Sequence, residues 1–138
     1  MWIRIGDEVP HHPKFIKAGP VASWLWVCGT CYCAKYLTDG YIPDTMLTYL
    51  LPISDRNVSR HVRNVKRHAD QLVTVTLWER VTGGYQVHDY HQYNPSANEV
   101  KELRAVRAEQ GRRGGLAKAV ANSQANSQLV AKKTPSKQ

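Results

Sequence analysis

Residues 54–72 carry two helical stripes of opposite character, and no other part of the chain constrains the fold as strongly. Four arginines recur at helical spacing, and at about 100° of rotation per residue they lie within roughly 60° of one another. They are Arg56, Arg60, Arg63 and Arg67. The opposite face carries five apolar residues: Val58, Val62, Val65, Ala69 and Leu72. The pattern predicts a helix over residues 54–70, capped by Ser54 or Asp55, with one side against a core and the other towards a polyanion.

The segments before this helix predict a helix-turn-helix. A largely apolar first helix is expected from residues 19–20 to Tyr36, and residues 38–40 then turn the chain. Its buried side is predicted from helical spacing to contain Val21, Leu25, Cys28, Tyr32 and Tyr36. Residues 41–42 form a short extended piece, and a brief second helix begins at residues 43–44 and ends before Pro52. The tight connection to the arginine-striped helix is typical of a helix-turn-helix.

A β-hairpin is predicted directly after the arginine-striped helix. Residues 72–80 and 85–90 are rich in β-branched and aromatic side chains, and the glycine-containing turn at residues 82–84 separates them. Residues 41–42 are expected to pair with this hairpin as a third strand. The predicted class is therefore α+β, mostly α, with a winged helix-turn-helix of three helices and a hairpin wing within residues 1–95.

The carboxyl-terminal third of the chain differs in composition from the rest. Ser96 can cap a helical extension over residues 96–110, whereas residues 111–138 are basic and of low complexity, so they are predicted to be disordered. Residues 1–100 carry ten Lys/Arg against nine Asp/Glu, and residues 101–138 carry nine against two. The tail is interpreted as a linker or a nucleic-acid arm, and the near-neutral domain uses its arginines locally.

Positive charge on the third predicted helix favours DNA binding, because only Asp55 and Asp70, near its ends, could neutralise it; an ordinary solvated helix face is the alternative. Candidates for contact with base edges are Arg56, Asn57 and Arg60, in the amino-terminal turns. The phosphate contacts are expected to come from among Ser59, Arg63, Asn64 and Arg67. The wing tip, which could equally be a plain hairpin turn, and the tail add Arg80, Thr82, Arg112 and Arg113.

The other reactive side chains favour structural roles. Cys28, Cys31 and Cys33 lie inside an apolar helix, so buried packing is favoured over a zinc or redox site, and their odd number fits a reducing compartment. His88 and His91 point to opposite faces of a strand, which favours hydrogen bonding at the exit of the wing. With no nucleophile elbow, phosphate-binding loop or paired carboxylates, we expect no enzyme activity, no cofactor and no metal.

The remaining aromatic residues and the hydropathy pattern complete these expectations. The four tryptophans, Trp2, Trp24, Trp26 and Trp78, are predicted to lie in the core or at its edge. No apolar stretch reaches the 18 or so residues that a membrane span requires, and residues 1–8 lack a long apolar secretory core. We therefore expect a cytoplasmic protein with no membrane partner.

Two sequence blocks carry a resemblance to a known family: TDGYIP at residues 38–43 and GGYQVHDYHQYNPS at residues 83–96. With them, residues 1–115 resemble small winged-helix proteins of bacteriophages and prophages, especially of actinobacterial hosts. Such proteins are similar to the amino-terminal DNA-binding domains of phage replication initiators and replisome organisers. The resemblance implies binding of double-stranded DNA in the bacterial host cell, in support of phage replication. The alternatives are a phage transcriptional regulator and a replisome protein adaptor, and a homodimer and replisome partners stay open.

Overall fold

The computed structural model describes residues 2–52 and 57–133, which are mostly helical and include a small three-stranded antiparallel sheet. This confirms the predicted α+β, mostly α class. The chain divides into two compact units, one ending at Ala97 and the other beginning at Asn98. The elements are α1 (Pro13–Ala18), α2 (Pro20–Tyr36), β1 (Tyr41–Pro43), α3 (Asp44–Leu47), α4 (Val58–Thr74), β2 (Trp78–Val81), β3 (Gly84–Val87), α5 (Tyr90–Tyr93) and α6 (Ala97–Lys133), and a 3-10 turn, Val9–His11, precedes α1.

Helix α2 has the predicted bounds, but its buried side matches the prediction only in part: Leu25 is buried, and Cys28 and Tyr32 are half-buried against the core. Val21 and Tyr36, both predicted to be buried, are 47% and 56% exposed. The core residues of α2 are Ala22, Leu25, Gly29, Thr30, Cys33 and Ala34. Helix α2 is apolar almost all round, so the spacing of its apolar residues does not identify its buried face. The buried face is instead the one with small residues, which allow the side chains of the sheet to approach closely. A Cβ atom on Gly29 would lie 2.6 Å from Trp78 Cζ2.

The sheet has the strand order β1-β3-β2, so the predicted pairing of β1 with the hairpin is confirmed. Ile42 of β1 and Arg80 of β2 both lie opposite Tyr85 of β3. The hairpin begins later than predicted, because α4 continues to Thr74 and Leu72 and Val75 are buried in the core. Burial of these side chains outweighs the β propensity of residues 72–77. Helix α3 is likewise shorter than predicted and ends at Leu47.

Helix α4 begins at Val58, and its N-cap is Asn57 rather than Ser54 or Asp55, which lie outside the described residues. The Asn57 Oδ1 atom accepts a hydrogen bond from the backbone amide of Arg60 at 3.0 Å. Of the predicted apolar stripe, Val65, Ala69 and Leu72 are buried, whereas Val58 and Val62 are 61% and 40% exposed. The stripe is therefore correct only for the carboxyl-terminal half of the helix.

The fourth core position of α4 belongs to His61, which sequence analysis did not select. His61 is 6% exposed, and its Nε2 atom lies 3.0 Å from the carbonyl oxygen of Thr48, just after α3. This hydrogen bond satisfies a polar group that would otherwise be costly to bury. His61 therefore fixes the start of α4 to the end of α3, where a valine could not satisfy the Thr48 carbonyl.

Substitution of His61 tests which face of α4 is buried. We expect His61→Ala to lower the free energy of unfolding by about 2–3 kcal/mol, since it removes a buried ring and leaves the Thr48 carbonyl without its partner. The adjacent Val62→Ala should cost less than about 1 kcal/mol, because Val62 is 40% exposed. Urea denaturation of both variants measures this difference, and equal losses would contradict the assignment of His61 to the core.

The tryptophan and cysteine predictions hold only in part. Trp78 is fully buried beside the Tyr85 ring, but Trp2 and Trp24 are 94% and 56% exposed, so a core position is wrong for these two. Cys33 is buried, and that burial raises the pKa of its thiol to about 11. Cys31 is exposed, so buried packing is wrong there.

The second unit consists of α6 beyond Ala97, and it corrects the predicted disorder of the tail. The helix continues through residues 111–133, and residues 134–138 lie outside the described part. Disorder was expected because this segment has little to bury. Its alanine, leucine, lysine and glutamine residues nevertheless have high helix propensity, and Glu109 pairs with Arg112 and Arg113 along the helix. None of the described helices is both long and apolar enough to cross a membrane.

Candidate nucleic-acid interface

The outer face of α4, which the sequence predicts to contact DNA, carries a cluster of exposed positive charges. Four side chains, here called the α4 cationic face, are exposed on it: Arg60, Arg63, Lys66 and Arg67. Helical geometry places this face away from His61, Val65 and Leu72, which are buried. The cations are therefore held on a helix whose other side is anchored in the core.

Three of the four cations on this face have no ion-pair partner among the described residues. Across residues 2–52 and 57–133, Arg63, Lys66 and Arg67 make no ion pair. Asp70, the acidic residue within α4, instead accepts a hydrogen bond from the Tyr85 hydroxyl group at 3.3 Å. Burial, and secondarily the charge of Asp70, raise the pKa of Tyr85, so its hydroxyl stays protonated as a donor. The face can therefore attract an external anion.

The predicted contact residues at the start of α4 have different surroundings. Arg56 lies outside the described residues. Asn57 is exposed, but its Oδ1 atom is used by the helix cap. Ser59 is exposed and Asn64 is half-buried, and both border the α4 cationic face. Side-chain oxygens and amides next to cations are suited to hydrogen bonds with phosphates or base edges.

Lys66 belongs to this face, although sequence analysis missed it. It departs from the arginine spacing, but it follows Ser59 by seven residues and Arg63 by three, so helical geometry alone could have placed it there. The pKa of Asp44, at the start of α3, is lowered first by the hydrogen bonds from Arg80 and to a lesser extent by the charge of Lys66. Lys66 is the fourth exposed cation of this face.

Arg80, predicted to contact DNA from the hairpin, is bound within the protein. Its guanidinium group donates to both carboxylate oxygens of Asp44, at 2.6 and 2.8 Å, and to the carbonyl oxygen of Gly84 at 3.1 Å. It also lies over the ring of Tyr85, 4.5 Å from the centroid. The hydrogen bonds from Arg80 are the main reason that the pKa of Asp44 lies below its ordinary value. Arg80 therefore ties the hairpin to α3.

The hairpin turn consists of Thr82 and Gly83, both exposed. Gly83 has φ +78°, a left-handed conformation that glycine adopts without a steric penalty. Its carbonyl oxygen accepts a hydrogen bond from the Asp44 amide at 2.9 Å. Thr82 is thus displayed on a turn that is fixed to the start of α3.

Arg112 and Arg113, the predicted tail contacts, lie in the second unit. Both donate to the Glu109 carboxylate, at 2.9 and 2.8 Å, and these hydrogen bonds hold the pKa of Glu109 below its ordinary value. Both guanidinium groups stay largely exposed. Because the single Glu109 carboxylate pairs with both arginines, the three side chains together keep one net positive charge.

The described residues contain no group of three or more His, Cys, Asp or Glu side chains that could hold a metal ion. His88 Nδ1 instead lies 2.6 Å from Glu79 Oε1, and its Nε2 lies 3.1 Å from Asp89 Oδ2. The predicted hydrogen-bonding role is confirmed for His88. The strand predicted to carry His88 and His91 is wrong, because β3 ends at Val87 and His91 lies in α5.

Comparisons of the chain with protein-family models, curated proteins and solved structures give no match. The fold and the α4 cationic face nevertheless define a general structural class for this domain. This is an α+β domain in which a helix anchored in the core presents cations to solvent, next to a three-stranded sheet.

Proposed function

We propose that the chain is a non-enzymatic protein that binds double-stranded DNA through a winged helix-turn-helix. In this proposal α3 and α4 form the helix-turn-helix, α4 is the recognition helix, and β2 and β3 form the wing. Three features of the fold support it. They are the element order α2, β1, α3, α4, β2, β3, the sheet order β1-β3-β2, and the His61 contact that joins α3 to α4.

The observation that carries the proposal is the α4 cationic face on a domain of almost no net charge. Residues 1–100 carry ten basic against nine acidic side chains, yet Arg63, Lys66 and Arg67 stand on one helix without an ion pair in the described part of the chain. Double-stranded DNA presents a negative charge about every 1.7 Å along its axis, and each phosphate neutralised by Lys or Arg releases counterions. Concentrated charge of this kind suits such a partner.

The surroundings of each residue suggest a division of roles. Arg60, in the amino-terminal half of α4, is proposed to contact base edges in a major groove, and Asn64 stays a candidate for phosphate contact. Arg63, Lys66 and Arg67 are proposed as phosphate contacts, which position the helix without reading sequence. The wing contributes Thr82 and the backbone of its turn, because Arg80 is held by Asp44. Arg112 and Arg113 on α6 would add affinity that does not depend on sequence.

The resemblance to phage winged-helix proteins favours a role in phage DNA replication, of the replisome-organiser type, in the cytoplasm of a bacterial host. A transcriptional regulator would use the same surface on a different DNA site. A replisome adaptor would use the fold to bind a protein, in which case duplex binding should be negligible.

Salt dependence tests the proposal on the full chain. With about four phosphate contacts, affinity for duplex DNA should fall about a hundredfold between about 50 and about 200 mM salt. Fluorescence anisotropy with a labelled duplex measures this slope. Negligible duplex binding even at the lowest salt would overturn the proposal and favour the adaptor. Selection of bound duplexes from a random pool then identifies the site, and its position at an origin or at promoters separates replication from transcription.

A further inference from the structure

A cavity of about 160 Å³ lies in the first unit, between the amino-terminal segment, α1, α2 and the start of α5. No residue of the α4 cationic face lines it. Its size matches one aromatic ring, since a dry cavity of about 150 Å³ is known to bind benzene. It is smaller than the pockets that hold drug-sized ligands, which run from about 300 Å³ upwards.

The inner wall of the cavity is aromatic. Phe15 and Tyr90 are 8% and 5% exposed, and Trp26 is half-buried. The rings of Phe15 and Trp26 meet edge to face, with centroids 4.9 Å apart and planes at 85°. An edge-to-face pair leaves ring faces and edges for a further ring, a geometry in which aromatic groups attract one another. A planar ring is therefore the apolar group that this wall suits best.

The lining also includes two cations, Arg4 and Lys14. The Arg4 backbone amide donates to Asn94 Oδ1 at 3.3 Å, whereas its guanidinium group makes no ion pair within residues 2–52 and 57–133. Within the same residues, the Lys14 ammonium group makes one long hydrogen bond, 3.4 Å, to the carbonyl oxygen of Thr76. Both groups can accept an anionic partner without breaking an existing ion pair.

The lining also contains two carboxylates, Glu8 and Asp89, and neither forms an ion pair with Arg4 or Lys14 in the described part of the chain. Asp89 Oδ2 already lies within hydrogen-bond distance of His88 Nε2, at 3.1 Å. Glu8 lies over the backbone of Gly6, where a Cβ atom would approach its carboxylate oxygens to 2.8 Å. Arg4 and Lys14, which have no ion pair within residues 2–52 and 57–133, are therefore the groups of the lining that can pair with a ligand of negative charge.

We propose that this cavity binds a planar, single-ring aromatic carboxylate. The ring lies against Phe15 and Trp26, and the carboxylate group pairs with Arg4 and Lys14. The ligand is held by burial of its ring and by charge-assisted hydrogen bonds at the cavity rim. This site is separate from the proposed DNA surface and does not depend on it.

The test uses the full chain and two probes of matched size, benzoate and benzylamine. The indole NH signal of Trp26, assigned with Trp26→Phe, is followed by two-dimensional NMR as each probe is added to millimolar concentration. Benzoate should shift this signal saturably, and benzylamine should not. No saturable shift with benzoate, or an equal response to both probes, would overturn the proposal.

A pair of surface variants tests the proposed ion pair. Arg4→Ala should weaken benzoate binding about fivefold, a loss expected for a charge-assisted hydrogen bond at an exposed position. Lys17→Ala removes the same charge from α1 at a residue that does not line the cavity, so it should bind benzoate as the unmodified chain does. Both side chains are exposed, and neither substitution disturbs the core. Unchanged binding by Arg4→Ala would contradict the assigned role of Arg4.

Discussion

Replacement of Arg63, Lys66 and Arg67 together by alanine should weaken binding to duplex DNA at least about a hundredfold. The reason is that three exposed cations, none of them in an ion pair within the described residues, are removed from one face of α4. If each contacts a phosphate, the slope of log affinity against log salt should also become shallower by about one for each cation, or about three in all. Anisotropy titrations at several salt concentrations measure both quantities.

The matched control removes the same charge from other elements of the first unit. Arg4, Lys17 and Lys35 are exposed on the amino-terminal segment, α1 and α2, so their triple alanine variant has the same net charge as the α4 variant. Its affinity should fall far less, because only long-range attraction is lost. If the two variants lose affinity equally, DNA binding reflects overall charge and α4 is not the contact surface. Circular dichroism serves as the control that both variants are folded.

Sequence reasoning succeeded where residue type and spacing determine local structure. The bounds of α2 follow from Pro20 at its first turn and from residues 38–40 beyond its end. The pairing of β1 with the hairpin and the outward position of Arg60, Arg63 and Arg67 were also predicted. These features depend on helical periodicity, turn chemistry and the segregation of charge from apolar side chains.

The misses concern contacts between residues distant in sequence. His61 was not assigned to the core, because its burial depends on the Thr48 carbonyl, 13 residues earlier. The contact between Arg80 and Asp44 was not predicted either, because the two residues lie 36 positions apart in the chain. The residues that neighbour His61 and Arg80 in the sequence do not indicate these distant partners, Thr48 and Asp44. The Asp44 contact of Arg80 therefore appears only in the tertiary structure, and its DNA contact stays a prediction. Lys66, by contrast, follows from helical spacing alone.

These long-range contacts also explain how the hairpin is held in place. The Asp44 carboxylate binds Arg80 of β2, and the Asp44 amide donates to the Gly83 carbonyl at the turn. Tyr85 of β3 reaches Asp70 of α4. The hairpin is thus connected to both α3 and α4, so substitutions that displace it should also disturb the proposed DNA surface.

Gly84 is the position where such a displacement should be largest. It lies opposite Pro43 in the β1–β3 ladder, and a Cβ atom there would overlap the carbonyl oxygen of Ile42. Because the obstacle is backbone, it cannot be relieved by a change of rotamer, and β1 would have to separate from β3. We expect Gly84→Ala to lower the free energy of unfolding by about 3 kcal/mol, at the upper end of the usual cost of overpacking.

Gly111→Ala provides the opposite case within the same chain. A Cβ atom on Gly111 meets nothing within 4 Å, and the residue lies inside α6, so alanine there should leave the first unit unchanged and raise helix content slightly. Urea denaturation followed by tryptophan fluorescence reports on Trp78, which is fully buried next to Tyr85 of β3. A Gly84→Ala midpoint equal to that of Gly111→Ala would refute the close packing of β1 on β3. Because that packing positions the hairpin beside α4, Gly84→Ala should also weaken duplex binding at urea concentrations where the chain is still folded.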